Sequence, residues 1–112
     1  MSELDQLREQ ILQFRDERNW QQFHNPKDLA LSLSLEASEL LELFQWKTSQ
    51  EAVEKNLEDM KDELADVLIY AILFANETGI DLASAIKEKL QKNDEKYPAE
   101  KAFGVSKKYT EL

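Results

Sequence analysis

Two acidic doublets carry the clearest chemistry in this chain. Glu36-Ala37-Ser38-Glu39 and Glu63-Leu64-Ala65-Asp66 each hold two carboxylates three residues apart, a spacing that sets both on one face of a helix. Their surroundings matter more than their spacing. At about 100° per residue, Leu29, Leu33, Leu40 and Leu43 lie close to the Glu36 direction, and Met60, Val67, Tyr70 and Phe74 lie close to that of Glu63. Carboxylates on apolar stripes are costly to bury unless something neutralises them. If the two helices pack antiparallel, Glu36, Glu39, Glu63 and Asp66 converge, and a hard divalent cation is the simple remedy for their repulsion. An all-oxygen set fits Mg²⁺ or Mn²⁺ better than zinc. A di-iron bundle would need Glu-x-x-His on two helices, and the single histidine, His24, lies outside both doublets. One such doublet alone would read as semi-exposed acids at a bundle edge; two on neighbouring apolar stripes make the metal site the better reading.

A second cluster is Lys89, Lys92, Asn93, Lys96 and Tyr97. Lys89, Asn93 and Tyr97 recur at i, i+4, i+8, and an ammonium, an amide and a phenol on one face suit phosphate oxygens. The competing reading is a solvated helix end, where lysine is favoured by the helix dipole. A third cluster is aromatic: Trp20, Phe23 and His24, with Trp46 after the next helix. These residues either stack on a nucleobase or close the core.

The elements that must position these groups are helices. Two glycines and two prolines in 112 residues are too few for the turns of a sheet protein, and Leu, Glu, Lys and Ala favour helix. Leu4, Leu7, Ile11 and Phe14 mark a first helix over residues 3 to about 19, capped by Ser2. Pro26 starts a second that runs to about Trp46. Leu29, Leu31, Leu33 and Leu35 alternate like a strand, but no turn residue brackets them, so helix is expected. Thr48 and Glu51 form a capping box for a third segment that ends at Thr78-Gly79, with Glu51–Leu57 a candidate separate turn. Asp81 caps a fourth helix that stops before Pro98. The tail offers Phe103, Val105 and Tyr109 as anchors. The expectation is one all-α domain over residues 1–112, with about four helices in a bundle and a C-terminal tail over 98–112.

Charge and composition exclude several classes. With 14 Lys+Arg against 23 Asp+Glu, the net charge of −9 has the wrong sign for a nucleic-acid binder. No cysteine is present, which removes disulfides, thiolate metal sites and cysteine nucleophiles. No apolar run reaches the roughly 20 residues of a membrane span, and Met1-Ser2-Glu3-Leu4-Asp5 lacks the features of a secretory signal. No membrane partner and a cytoplasmic location are therefore expected. A small core and apolar residues on several sides of the third helix (Leu64, Val67, Leu68, Ile69, Ile72, Leu73, Phe74) point to a homo-oligomer that completes its core between chains.

The acidic motif, Glu36-x-x-Glu39, a 23-residue spacer and Glu63-x-x-Asp66, resembles that of the all-α, MazG-like nucleoside triphosphate pyrophosphohydrolases. Arg18-Asn19-Trp20-Gln21-Gln22-Phe23-His24, Glu39-Leu40-Leu41-Glu42-Leu43-Phe44-Gln45-Trp46, Asp62-Glu63-Leu64-Ala65-Asp66-Val67-Leu68-Ile69-Tyr70, Asn93-x-x-Lys96-Tyr97-Pro98 and Lys108-Tyr109-Thr110-Glu111-Leu112 look most like the dCTP pyrophosphatase branch. The resemblance implies Mg²⁺-dependent hydrolysis of a (d)NTP, dCTP or a modified relative, to the monophosphate and pyrophosphate for nucleotide-pool housekeeping. It implies metal held by the four carboxylates; of these, Glu36 or Glu39 is our own choice for the catalytic base that takes the proton of the attacking water. It further implies phosphate contacts from Lys89, Asn93, Tyr97 and neighbouring Lys96, and a nucleoside pocket lined by Trp20, Trp46 and Tyr70, with His24 beside them. Assembly as a homodimer or homotetramer is also implied. Two positions depart from the pattern: Leu35, where many members have a further Glu, and Ile11, where a dCTP-specific relative has a polar ring. The alternative from a different class is a non-catalytic helical oligomerisation or binding module.

Overall fold

The computed structural model describes residues 1–112 as an all-helical chain. Its α-helices are α1 (Glu3–Glu17), α2 (Pro26–Glu42), α3 (Ser49–Thr78), α4 (Leu82–Lys96) and α5 (Ala99–Ala102), with 3₁₀ turns at Trp20–Phe23 and Tyr109–Glu111. The chain forms two compact units, Met1–Ile80 and Asp81–Leu112. Four main helices are as expected, and the fifth is a single turn in the tail.

In the first unit, the local signals read from the sequence set the helix ends. The Ser2 hydroxyl accepts from the Asp5 N–H at 3.1 Å, and Asn25 Oδ1 caps α2 by accepting from Asp28 N–H at 2.9 Å. Pro26 follows at the first helical position, where its missing N–H costs nothing. The leucine run 29–35 is helical throughout, so helix propensity overrode its alternation. Thr48 Oγ1 caps α3 at 3.1 Å from Glu51 N–H, and Gly79 ends it at φ +72°, a conformation glycine adopts without strain.

One helix is shorter than its sequence suggested. α2 stops at Glu42 rather than near Trp46. Residues 43–47 form tight turns in which Gln45 N–H donates to Glu42 O and Lys47 N–H to Phe44 O. Trp46 itself sits at φ +64°, left-handed backbone that cannot continue a helix. The break expected near Leu57 does occur, at Asn56 (φ −117°, ψ 21°) inside α3.

α2 packs along α3 as a helical hairpin, and α1 also reaches α3. Two contacts give its register. Asn56 Nδ2 donates to Leu43 O at 3.1 Å, and the carboxylates of Glu36 and Glu63 meet. Seven positions back along α2 match seven forward along α3, which is an antiparallel pair in constant register. The core is small: Leu29, Ala52, Met60, Ile72, Leu73 and Ala75 are its buried apolar residues, with Leu29 only 1% exposed. Leu31 and Leu35 of α2 and Leu57, Leu64 and Leu68 of α3 lie more than half exposed.

The second unit is organised by α4. Asp81 Oδ1 accepts from Ser84 N–H at 2.9 Å to cap it. Tyr97 lies one residue beyond its end, its N–H bonded to Asn93 O at 2.8 Å. Tyr109 packs edge-on against Tyr97 with centroids 6.0 Å apart, and Lys96 Nζ lies 5.0 Å from the Tyr109 ring. Tyr109 thus anchors the tail as expected. Phe103 is no anchor: it is 89% exposed, just past the end of the single turn α5.

Candidate active site

The hairpin brings three carboxylates together. One oxygen from each of Glu36, Glu39 and Glu63 lies within 4.8 Å of the others. The i, i+3 spacing sets Glu36 and Glu39 on one face of α2, and the antiparallel register delivers Glu63 opposite. Asp66, one turn further along α3, is not among these three, but its charge acts on the cluster.

Burial and mutual repulsion dominate the electrostatics of the cluster. Burial pushes the Glu36 carboxyl up from 4.5 to about 7, helped by a carboxyl–carboxyl hydrogen bond with Glu39 and by the charges of Glu39, Asp66 and Glu63. Glu63 is also raised, first by its hydrogen bond with Glu39, then by burial and the charges of Glu39 and Asp66; a hydrogen bond from Glu36 pulls the other way. Oε2 of Glu36 and Oε2 of Glu63 are buried without a hydrogen-bond partner. Orphaned buried carboxylate oxygens are rare in proteins. Two in one cluster, with hard oxygen donors on both sides, fit a divalent cation of the Mg²⁺ or Mn²⁺ type.

A cavity of about 230 Å³ opens in the same unit. Trp20 and Phe23 line it from the 3₁₀ turn, His24 from the residue after it, Asp28, Leu29 and Ser32 from α2, and Tyr70 from α3. The turn that presents Trp20 depends on Asn19 at φ +53°, a conformation that asparagine tolerates better than most residues. Phe14 meets Trp20 edge-on at 5.8 Å, and the Arg18 guanidinium stacks 3.6 Å from the Phe14 ring centroid while donating to Phe14 O at 3.0 Å. Nδ1 of His24 is buried and unpartnered.

Three of the four residues expected around a nucleoside, Trp20, His24 and Tyr70, therefore share one cavity. Trp46 does not line it and is 91% exposed in its left-handed turn. In the second unit, Lys89, Asn93 and Lys96 lie on α4, with Tyr97 just past it. Sequence reasoning passed over Asp28 and Ser32 as site residues. Their i, i+4 spacing on α2, one turn after His24, was the available signal.

The cluster and the cavity belong to an all-helical fold that occurs elsewhere. A model of the MazG-like family matches residues 31–112. Human dCTP pyrophosphatase 1 is 41% identical over 97% of this chain and 67% of its own length, and the mouse protein of the same name is 39% identical over the same shares. The crystal structure of a pyrophosphatase from Archaeoglobus fulgidus superposes with a TM-score of 0.83 at 39% identity, covering 88% of this chain and 94% of that one. This chain belongs to the MazG-like family. The family resemblance read from the acidic doublets is thereby confirmed, and with it the class of nucleoside triphosphate pyrophosphohydrolases.

Proposed function

We propose that this protein hydrolyses dCTP or modified dCTP-like nucleotides to the monophosphate and pyrophosphate, in a divalent-metal-dependent reaction that clears unwanted nucleotides from the cytoplasmic pool. The observation that carries the reading is the meeting of Glu36, Glu39 and Glu63 with two buried, unpartnered oxygens. Glu36, Glu39, Glu63 and Asp66 would hold Mg²⁺, with Mn²⁺ as a substitute, and the ion would supply charge neutralisation and polarisation of the phosphates. Of these carboxylates, Glu36 or Glu39 takes the proton of the attacking water. Lys89, Asn93, Lys96 and Tyr97 bind the phosphate oxygens, and Trp20, His24, Trp46 and Tyr70 hold the nucleoside. The names and folds of the relatives support the same reading.

The exposed leucines of α2 and α3 support assembly as a homodimer or homotetramer. A purely structural oligomerisation module would share those leucines, but it gives no reason to gather carboxylates on an apolar stripe. No single helix is long and apolar enough to cross a membrane. The test is product analysis with a panel of dNTPs and NTPs and Mg²⁺. Pyrophosphate from at least one nucleotide is expected, and orthophosphate as the sole phosphorus product would refute the reading.

A further inference from the structure

The C-terminal tail folds back onto the end of α4. Pro98 cannot continue that helix, and its carbonyl accepts from the N–H groups of Lys101 and Ala102 at 3.0 and 2.9 Å. Gly104, at φ +75°, redirects the chain in a left-handed conformation that suits glycine. The 3₁₀ turn Tyr109–Glu111 then places the Tyr109 ring against two consecutive residues of the α4 end. It meets Tyr97 edge-on with centroids 6.0 Å apart, and Lys96 Nζ sits over its face, 5.0 Å from the centroid. This pair of rings is no core: Tyr97 is 38% and Tyr109 49% exposed.

The kind of contact decides what Lys96 can do. Asp94, Glu95 and Glu100 lie close to it in a chain of net charge −9, and pairing with any of them would cancel its charge. Lys96 takes part in none of the chain's ion pairs. It rests instead against an aromatic ring, which attracts a cation through its quadrupole and carries no net charge. The ammonium keeps its full charge, and its N–H groups away from the ring stay open to an anion. A lysine head on a flexible four-carbon stem must be ordered when it binds, and a ring that already restrains it lowers that cost. Resting on the hydrolase reading above, we infer that Tyr109 is a positioning residue for the phosphates: its ring holds the Lys96 ammonium and the Tyr97 phenol together at the end of α4, where they meet the oxygens of a pyrophosphate group.

The probe is inorganic pyrophosphate with Mg²⁺, titrated calorimetrically into the full chain. Tyr109→Phe keeps the ring and should bind within about twofold of wild type. Tyr109→Leu keeps apolar bulk but loses the ring, and its Kd should rise about fivefold, the scale of one exposed cation–π contact and one aromatic pair. In a Lys96→Ala background the same change should cost about twofold or less, because the two residues act as a unit. A tail that merely packs would act without regard to Lys96. The inference is overturned if Tyr109→Leu binds like wild type, if Tyr109→Phe is as weak as Tyr109→Leu, or if the loss is equal in the Lys96→Ala background. Absence of pyrophosphate binding by the wild type overturns it as well. A second measurement needs no variant. The Tyr109 ring should shift the NMR signals of the Lys96 ε-methylene protons upfield, and added pyrophosphate should move them. Unshifted signals, or signals that ignore pyrophosphate, overturn the inference even where a variant does not fold. The hydrolase reading is judged apart from this, by pyrophosphate release from the nucleotide panel, and stands wherever that occurs.

Discussion

Glu36→Gln tests the carboxylate cluster most directly, because its effect on the metal-free protein has a definite sign. Glu36 is raised from 4.5 to about 7 in the folded protein, chiefly by burial and by Glu39. Between those values the folded chain keeps a proton that the unfolded chain has released. Stability is therefore fully retained below about pH 4.5, falls as the pH rises through the window, and reaches its full loss above about pH 7. At about 1.4 kcal/mol per pH unit the gap has an upper bound of about 3.5 kcal/mol. Solvent reaches this partly exposed carboxyl and screens it, so about 1–2 kcal/mol is the realistic effect. Glutamine removes the charge at every pH. With EDTA and a fixed protein concentration, the variant should match the wild type near pH 4. At pH 8 it should melt about 4–8 °C higher, taking roughly 4 °C per kcal/mol for a domain of this size. Mg²⁺ should reverse the order, because the wild type gains from an ion that the variant holds poorly. Differential scanning calorimetry at the two pH values reads all four conditions. A metal-free Glu36→Gln protein that melts lower than wild type at pH 8 would refute the reasoning and make Glu36 a structural acceptor.

Glu63→Gln and Asp66→Asn should each abolish pyrophosphate release while leaving the metal-free melting temperature level or higher; full activity with Mg²⁺ in either variant removes that residue from the site. Light scattering at micromolar concentration should give at least twice the 13.1 kDa chain mass, and Leu64→Glu with Leu68→Glu should shift it toward the single chain; a wild-type protein of single-chain mass refutes the assembly. Leu29→Ala, at the most buried large side chain, should cost about 2–4 kcal/mol in urea denaturation, and a cost below about 1 kcal/mol would show that this core is already loose. Asn56→Ala, which loses the bond to Leu43 O, should cost about 1 kcal/mol and weaken the Mg²⁺-induced rise in melting temperature; an unchanged rise would separate the clamp from the carboxylates.

Much of this architecture is legible in the residues because the local signals agree. Ser2, Thr48, Gly79 and Asp81 end their helices by short-range bonds or a backbone conformation that residue type alone predicts. The doublets are legible for the same reason, since helical periodicity fixes which residues share a face. What the sequence hides depends on partners far along the chain or on single torsions. The early end of α2 follows from Trp46 adopting a left-handed backbone, which is rare for so bulky a residue and carries no sequence signal. Phe103 looks like an anchor because it is large and apolar, but whether a tail residue finds a pocket depends on tertiary packing. The cavity position of Asp28 was obscured by its evident role as a capping residue.

The non-helical geometry at Asn56 also bears on how the family can vary in length. A residue inserted into an unbroken helix turns everything after it by about 100°, enough to carry a carboxylate off its face. In α3, the Ser49–Lys55 stretch precedes the break, and Glu63 and Asp66 follow it. Asn56 is moored to the end of α2 through Leu43, so the rotation from an inserted or deleted residue is absorbed at the break rather than passed on. The loop-side half of the hairpin is thereby released from the constraint that holds the carboxylate-bearing half. Evolution can lengthen, shorten or redecorate it, and a protein engineer can graft a segment there, without retuning the acid cluster.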